Sequence, residues 1–381
     1  MQSDGKTLRL ILFVSEDWFF LSHFLDRARL AQRSGYSCVI VARDNGSADK
    51  IRQMGFEFES VPIDRRGLNP FAAIRDFLSI RAIFKRHRPW VVHNVALKPI
   101  VLGALAARSL GITRIVNAPV GMGYFFSSSA LRAQILKPLL YLALKLSLNP
   151  SGSKVVFENS DDLEALVDSG AIRRRDARLI PGAGVDTALF RVHPEPAGPP
   201  VVVLVARMLV DKGVREFVEA ARILKRDGVP VRMQLVGAPD PNNRGTVGED
   251  ELKAWAEEGI VEWLGHQTDI AGILANSHIA CLPSYREGLP KFLLEAMASG
   301  KPIVTTDVPG CRQAVQDGIN GLLVPARQPE PLAAALASLC GDAALRHKLG
   351  TAGRELAENL YANEPIGQQT LDVYRELLDA E

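Results

Sequence analysis

Short apolar runs alternate with helix-like stretches along most of the chain, and this alternation limits the possible fold more than any other sequence feature. Runs such as residues 8–14, 37–42 and 56–61 are separated by amphipathic or Ala/Leu-rich stretches. Continuous apolar strands between helices indicate a parallel sheet that carries helices on both faces. The first half of the chain is therefore predicted to form a doubly wound α/β domain.

A second series of the same kind begins after residues 193–200, where four of eight residues are proline. Such a segment must be extended, and we interpret it as an interdomain linker. We predict an α/β protein of two doubly wound, Rossmann-like domains, residues 1–192 and 193–360, which face a central cleft. A C-terminal helix within residues 361–381 is expected to pack back on the first domain. Ligands of such sheets bind at the carboxyl ends of the strands, so the site is expected in the cleft.

Charge is unevenly distributed, although the formal net charge is only +2. From Phe77 to Phe157 the chain has eleven Lys or Arg residues and no Asp or Glu. This region favours an anionic partner or surface. The alternative is that the cations lie on a solvated face and are balanced by acids elsewhere. The small net charge does not indicate a nucleic-acid partner.

Cysteine usage and hydropathy predict a cytoplasmic protein. The four cysteines are far apart and lack the spacing of a zinc site, and Cys38 and Cys281 lie in apolar runs typical of a core. The run at residues 8–14 is interpreted as a first strand rather than a signal peptide. No uncharged apolar stretch reaches the length of about 18 residues that a membrane span needs.

The segment of residues 284–303 carries the clearest chemical pattern. A buried strand leads to a loop with Glu287 and Gly288, and Pro290 is expected at the first position of a helix. The free N–H groups and the dipole of that helix start can hold a diphosphate. Glu295, on the second turn, could accept hydrogen bonds from ribose hydroxyls, and Glu287 from sugar hydroxyls. The alternative is a strand–turn–helix unit with solvated carboxylates.

The pair Glu287-x7-Glu295 and its surroundings closely resemble the E-x7-E signature of retaining glycosyltransferase family 4. Residues 205–213 resemble that family's GR-x4-KG motif, with Ala206 in place of Gly. The resemblance implies a GT-B fold, no metal and no cofactor other than a nucleotide-sugar cosubstrate. It also implies that Arg207 and Lys212 neutralise the departing diphosphate, with Glu287 as a further catalytic residue.

The resemblance further assigns the second domain to the nucleotide-sugar donor and the first to the acceptor. Residues 261–266 resemble the family's V-x-F-x-G stretch near the nucleotide base. The donor-binding residues implied in this way are Gly213, Gly265, His266, Gly288, Leu289, Pro290 and Glu295.

Residues 17–23, 92–99 and 117–124 resemble one branch of the family, which assembles bacterial capsule, O-antigen and protein-linked glycans. The branch implies an acceptor saccharide on a polyprenyl diphosphate and a UDP-linked N-acetylhexosamine or related sugar as donor. On the acceptor side it implies Trp18, His23, His93, Lys98, Gly121 and Tyr124.

The sequence departs from the family pattern at two places. Residues 15–18 replace the Gly-Gly loop that many members have after the first strand. Many members also carry a His near the position of Pro119 and Val120, where this chain has none, so no catalytic His is assigned.

Residues 131–148 are very apolar and carry only positive charges. These properties fit contact with an anionic membrane and with a lipid diphosphate, and they equally fit a buried helix. We expect a cytoplasmic enzyme that binds peripherally to the inner face of the cell membrane.

The resulting hypothesis is a retaining, metal-independent glycosyltransferase. Rivals are a GT-B epimerase or phosphorylase, and a sugar-nucleotide-binding or membrane-scaffold protein without transfer activity. The chain lacks a G-x-G-x-x-G after its first strand, which argues against a dinucleotide-dependent oxidoreductase.

Overall fold

The computed structural model describes residues 8–63, 69–120, 142, 144–150, 152–241 and 243–377. The chain divides into two compact units. The first consists of Met1–Ala183 and Glu364–Glu381, and the second of Gly184–Asn363.

The described residues of the first unit form a seven-stranded parallel sheet in the order β3-β2-β1-β4-β5-β6-β7. Its strands are Leu8–Glu16 (β1), Tyr36–Arg43 (β2), Glu57–Ser60 (β3), Val91–Val95 (β4), Ile115–Ala118 (β5), Ser153–Phe157 (β6) and Ala177–Leu179 (β7). Its helices before the crossing to the second unit are Asp17–His23 (α1), Leu25–Arg33 (α2), Ala48–Gln53 (α3), Pro70–His87 (α4), Leu97–Arg108 (α5) and Ser160–Asp168 (α6).

The second unit has a six-stranded parallel sheet, as far as its residues are described, in the order β10-β9-β8-β11-β12-β13. Its strands are Val201–Val205 (β8), Arg232–Val236 (β9), Glu262–Trp263 (β10), Ile279–Leu282 (β11), Ile303–Thr306 (β12) and Gly321–Val324 (β13). Its helices are Val214–Arg226 (α7), Glu249–Glu257 (α8), Ile270–Ala275 (α9), Lys291–Ala298 (α10), Cys311–Ala314 (α11), Pro329–Gly341 (α12) and Ala343–Leu356 (α13).

Both sheets are doubly wound, which confirms the predicted α/β class. In the first unit the chain builds outward from β1 to β3 and then returns to β4 on the other side of β1. In the second unit β8 and β11 are neighbours in the same way. Ligands of such sheets bind where the strand order reverses, at the carboxyl ends of the two central strands. This rule places a candidate site after β8 and β11, and another after β1 and β4.

The crossing between the units differs from the predicted boundary after residue 192. It lies between residues 183 and 184, so the proline-rich residues 193–200 belong to the second unit and are not a linker. Glu195 accepts a hydrogen bond from Arg346 Nη2 at 2.6 Å. His278 accepts the N–H of Val201 at Nδ1 (3.0 Å) and contacts the carbonyl of Pro196 through Nε2 (3.0 Å). These side-chain contacts hold the extended segment on its own domain.

The last helix, Asn363–Glu376 (α14), packs on the first sheet. The buried Tyr374 shares a hydrogen bond of 2.8 Å between its hydroxyl and His93 Nδ1 on β4. Arg178, on β7, donates from Nε to the Glu376 carboxylate at 2.9 Å. Residues 364–381 therefore complete the first unit, although the chain reaches them only after building the second.

His93, which we predicted as an acceptor-side residue, is fully buried. Phe24 and Tyr374 pack edge-on against its ring. Burial, aided by the nearby Arg27 cation, lowers the pKa of His93 from 6.5 to about 3. The imidazole is thus a neutral core group that fastens α14 to β4.

This shift predicts how the stability of the first unit depends on pH. Below pH 6.5 the unfolded chain binds a proton at His93 that the folded chain rejects until about pH 3. The free energy of unfolding should therefore be unaffected by this group above pH 6.5 and fall by up to about 1.4 kcal/mol per pH unit below it. In urea titrations followed by circular dichroism, His93→Gln should lose this part of the slope. Equal slopes for the two proteins would contradict the assignment.

Candidate active site

The turn after β8 packs directly against the end of β11. Gly213 has a left-handed φ of 72°, and a Cβ atom there would lie 2.0 Å from the carbonyl oxygen of Pro283. Only glycine meets both conditions. The short 3₁₀ turn Val210–Lys212 is thereby held beside β11, and the N–H of Tyr285 donates to the carbonyl of Asp211 at 2.9 Å. Because Gly213 has no side chain, the two predicted motifs at residues 205–213 and 284–303 can lie side by side.

This close approach joins Lys212 to Glu287. Lys212 Nζ lies 2.5 Å from Glu287 Oε1, and the hydroxyl of the buried Ser284 donates to the same oxygen at 2.7 Å. The two charged side chains are 19% and 11% exposed, so their ion pair is screened far less than a surface pair. The structure brings these two predicted catalytic residues into one polar cluster and adds Ser284, to which the sequence analysis gave no role.

The loop that carries Glu287 is supported from β12. A Cβ atom on Gly310 (φ 80°) would lie 2.4 Å from the carbonyl oxygen of Gly288 and 2.7 Å from that of Glu287. The hydroxyl of Thr306 donates to the carbonyl of Ser284. The loop that carries the carboxylate is therefore held by Gly310 and by Thr306. Gly310 and Thr306 lie outside the recognised motif, so no sequence pattern indicated their role.

Arg207 follows β8 but does not join this cluster. Its side chain is 48% exposed, and Nη1 donates to Asp240 Oδ2 at 2.7 Å. Asp240 comes after β9, where Gly237 approaches the carbonyl of Ala206 so closely that a Cβ atom would lie 1.8 Å away. Arg207 is thus fixed by the neighbouring strand, on the same carboxyl edge of the sheet as Lys212.

Helix α10 begins at Lys291, one residue later than predicted. Pro290 has φ −72° and an extended ψ of 119°. Because that ψ is not helical, Pro290 is the N-cap and not the first helical residue. Glu295, on the second turn, is almost fully buried, and burial raises its pKa although Lys291 lies 3.5 Å from the carboxylate. Leu289 is buried in the core below the helix start, and Gly288 precedes it in the loop.

The predicted base-proximal residues lie after β10. Gly265 has φ 66°, and its carbonyl accepts the N–H of Gly237 at 2.7 Å. Trp263 donates its indole N–H to the carbonyl of Gly237 at 2.9 Å. His266 is exposed at this edge. These contacts link the ends of β9 and β10, so the predicted donor-binding residues lie along one edge of the second sheet.

In the first unit, Trp18 follows β1 and is 43% exposed. Asp17 beside it is fully buried at the start of α1. Burial alone would raise the pKa of Asp17, but hydrogen bonds from the side chain and N–H of Asn45 and from the N–H groups of Ser47 and Trp18 lower it below 3.8. Among the residues that replace the Gly-Gly loop, Asp17 is therefore a buried carboxylate held in place by hydrogen bonds.

Two other predicted acceptor-side residues are ordered by local contacts. His23 stacks on Phe19 with 4.3 Å between ring centroids and shares a 2.6 Å hydrogen bond with Ser22. Lys98, in the first turn of α5, lies 3.9 Å from the buried carboxylate of Asp76. The predicted Gly121 and Tyr124, and residues 131–141 and 143 of the apolar segment, lie outside the described residues.

No described group of three or more His, Cys, Asp or Glu side chains is placed to hold a metal ion. None of the helices in the described part of the chain is long and apolar enough to span a membrane.

Two family models match the chain, one for each unit. Residues 9–159 match the model "Glycosyl transferase 4-like", and residues 185–356 match "Glycosyl transferases group 1". Each unit is therefore similar to a glycosyltransferase domain. The second match spans Arg207, Lys212, Glu287 and Glu295, so the polar cluster lies within the matched domain.

Curated relatives are similar over nearly the full chain. An N,N'-diacetylbacillosaminyl-diphospho-undecaprenol alpha-1,3-N-acetylgalactosaminyltransferase of Campylobacter jejuni is 28% identical, with 91% of this chain and 92% of the relative covered. The capsular polysaccharide biosynthesis glycosyltransferase CapM of Staphylococcus aureus is 21% identical, with 86% and 88% covered.

Solved structures establish the GT-B fold. A sucrose-phosphate synthase from Thermosynechococcus elongatus superposes with a TM-score of 0.82 at 21% identity, covering 98% of this chain and all of the other. HepE of Anabaena, solved in complex with UDP, gives a TM-score of 0.76 at 19% identity, covering 97% and 100%.

The glycine at position 213 can be tested with a matched control. Gly228 has the same φ of 72°, but nothing lies within 4 Å of a Cβ atom there. Gly228→Ala should therefore cost only the left-handed backbone strain of about 1 kcal/mol. Gly213→Ala adds a collision with the Pro283 carbonyl and should cost about 2 kcal/mol more in urea unfolding. Equal losses for the two variants would show that the turn and β11 do not meet as described.

Proposed function

We propose that this protein is a glycosyltransferase that transfers a sugar, with retention of anomeric configuration, from a UDP donor to a saccharide carried on polyprenyl diphosphate. The donor sugar is an N-acetylhexosamine or a related sugar. The observation that carries the proposal is the cluster of Lys212, Glu287 and Ser284 at the reversal point of the second sheet, beside the start of α10. Cations, an oriented carboxylate and the N–H groups of a helix start at one edge suit a sugar diphosphate.

The diphosphate is bound by Lys212, Arg207 and the first N–H groups of α10, which follow Gly288, Leu289 and Pro290. Each of these groups stabilises negative charge, and Lys212 acts from a half-buried position where electrostatic interactions are strong. Gly213 leaves room for the backbone of this turn. We propose that these protein cations take the place of a divalent metal and that no cofactor takes part.

The two carboxylates bind hydroxyl groups of the donor. Glu287 is held at one oxygen by Lys212 and Ser284, so its orientation is set before the sugar arrives. Glu295 lies near the helix start, where it accepts hydrogen bonds from the ribose. Burial raises its pKa, and a ribose diol would supply donors to the desolvated carboxylate. Gly265 and His266 lie at the base end of this site.

Transfer proceeds on one face of the sugar. The bond between the anomeric carbon and the diphosphate oxygen breaks, with oxocarbenium character at the carbon. The acceptor hydroxyl attacks from the same side and passes its proton to the departing diphosphate oxygen. Lys212 and Arg207 stabilise the charge on that diphosphate as it leaves. No protein nucleophile is required by this path.

The acceptor is proposed to bind the first unit near Trp18, His23 and Lys98, at the carboxyl ends of β1 and β4. A lipid-linked acceptor is supported by the similarity to the Campylobacter jejuni transferase, whose name specifies a diphospho-undecaprenol substrate. Such an acceptor lies in a membrane, so we further propose that the protein works in the cytoplasm at the inner face of the cell membrane.

Transfer assays with UDP-N-acetylglucosamine or UDP-N-acetylgalactosamine and a short-chain polyprenyl diphosphate saccharide test the role of Lys212. Lys212→Met should lower kcat by about 10²-fold or more, because it removes a cation from the leaving diphosphate. The control is Lys253→Met, an exposed lysine on α8 that pairs only loosely with Glu249 at 3.4 Å. It should retain wild-type activity. Product without acceptor would favour an epimerase, and full activity of Lys212→Met would contradict the proposed site.

Retention is tested separately by proton NMR of the product. An α-linked donor should give an α linkage, because attack and departure use the same face. A β linkage from the same donor would require attack from the opposite face and would contradict the proposed path.

A further inference from the structure

The outer surface of one helical layer of the first unit is apolar where solvent-facing helices are normally polar. Helix α4 exposes Phe71, Ile74 and Leu78 at positions i, i+3 and i+7, and Phe71 is 80% exposed. Its opposite side buries Ile80 and Phe84 in the core. The helix thus has one apolar stripe against the sheet and a second that the described protein does not cover.

Neighbouring helical segments continue this surface. Leu105 is exposed on α5, and Leu142 and Leu146 are exposed where the chain approaches β6. Arg81 of α4 donates to the hydroxyl of Ser109 at 3.1 Å, just after α5. The layer therefore presents six of the twelve large apolar side chains that are exposed in the described part of the chain.

All three segments lie on the same side of the sheet. Helices α4 and α5 share one core with Ile11, Phe13 and Val41. Ile100 of α5 then packs with Leu144 and Leu148 over β6. We name the exposed surface of these segments the α4–α5 face, defined by Phe71, Ile74, Leu78, Leu105, Leu142 and Leu146.

Cations line the α4–α5 face, and it falls largely in the stretch from Phe77 to Phe157 that has no acid. Lys85, Arg108 and Lys145 are all exposed. Arg108 donates from Nη1 to the backbone carbonyl of Leu146 at 3.0 Å, and none of the described carboxylates pairs with it. Apolar side chains beside uncompensated cations match an anionic lipid surface in both respects.

A depression at the edge of this face is large enough to hold one lipid headgroup. It has a volume of about 400 Å³, and Arg108, Lys145 and Arg173 are among its lining residues. It lies beyond the C-terminal end of α5 and before the start of β6, on the edge of the sheet opposite the carboxyl ends of the strands. It is thus separate from the region proposed for the acceptor.

We propose that the α4–α5 face docks the enzyme on a bilayer of anionic phospholipid. The apolar side chains enter the boundary between headgroups and acyl chains, and Lys85, Arg108 and Lys145 contact lipid phosphates. The inference rests on the proposed function, because a lipid-linked acceptor must be reached at a membrane. It adds the surface and the lipid charge that direct the enzyme there.

Co-sedimentation with vesicles tests the docking. The full-length protein should pellet with vesicles of phosphatidylcholine and phosphatidylglycerol, and far less with phosphatidylcholine alone. Phe71→Ser/Leu78→Ser should weaken partitioning at least tenfold, on the order of two buried apolar side chains. Lys85→Gln and Lys145→Gln should each weaken it by about fivefold. Leu189→Ser and Lys253→Gln, exposed in the second unit, are the matched controls and should bind as wild type.

Three outcomes would overturn the proposal. They are no sedimentation of the wild type, equal binding to neutral and anionic vesicles, and unchanged binding of the α4–α5 face variants. A concentration-dependent dimer in light scattering that Phe71→Ser/Leu78→Ser abolishes, without vesicle binding, would assign the face to a second copy instead.

Transfer to a water-soluble, short-chain acceptor separates this proposal from the proposed function. The α4–α5 face variants should keep wild-type transfer in the absence of vesicles, since none of these residues belongs to the site. Absence of transfer in the wild type would count against the function, whereas loss of vesicle binding alone concerns only the docking surface.

Discussion

The contact between Gly213 and the carbonyl of Pro283 is the constraint on which the candidate site depends. Gly213 has a left-handed backbone and no side chain, so the turn after β8 can lie against the end of β11. Without that approach Lys212 could not reach Glu287, and neither charge would be buried, because burying a charge without its partner is far more costly. One backbone position thus determines whether this edge of the sheet carries an organised ion pair or two separate surface charges.

The sequence predicted the fold class because both sheets are built from buried apolar strands whose pattern is local. It also predicted roles for Lys212, Glu287 and Glu295, since these residues lie in contiguous motifs, and the structure pairs the first two. Gly310 was missed for the opposite reason: its role comes from its close approach to the carbonyls of Glu287 and Gly288, which depends on β12 lying beside β11. Ser284 lies only three residues before Glu287, but its hydrogen bond depends on the conformation of the loop. A pattern of spacings records which residues are adjacent in the chain, not which strands become neighbours.

The errors have the same origin. The prolines of residues 193–200 indicated an extended segment, but only the tertiary contact of Glu195 with Arg346 shows that it is fastened to the second unit. His93 lies at a strand end in sequence, yet α14 returns from the far end of the chain to bury it under Tyr374. The apolar segment at residues 131–148 was recognised from its composition. The exposed apolar stripe on α4 was not recognised, because packing against the sheet decides which face of that helix is buried.

A crystal structure with a nucleoside diphosphate sugar would test the central claim most directly, namely that the donor diphosphate binds at the edge formed after β8 and β11. The account predicts phosphate oxygens within hydrogen-bond distance of Lys212 Nζ and of the first N–H groups of α10, with the ribose at Glu295 and the sugar at Glu287. A nucleotide bound after β1 and β4 of the first unit, with the Lys212–Glu287 pair untouched, would contradict it.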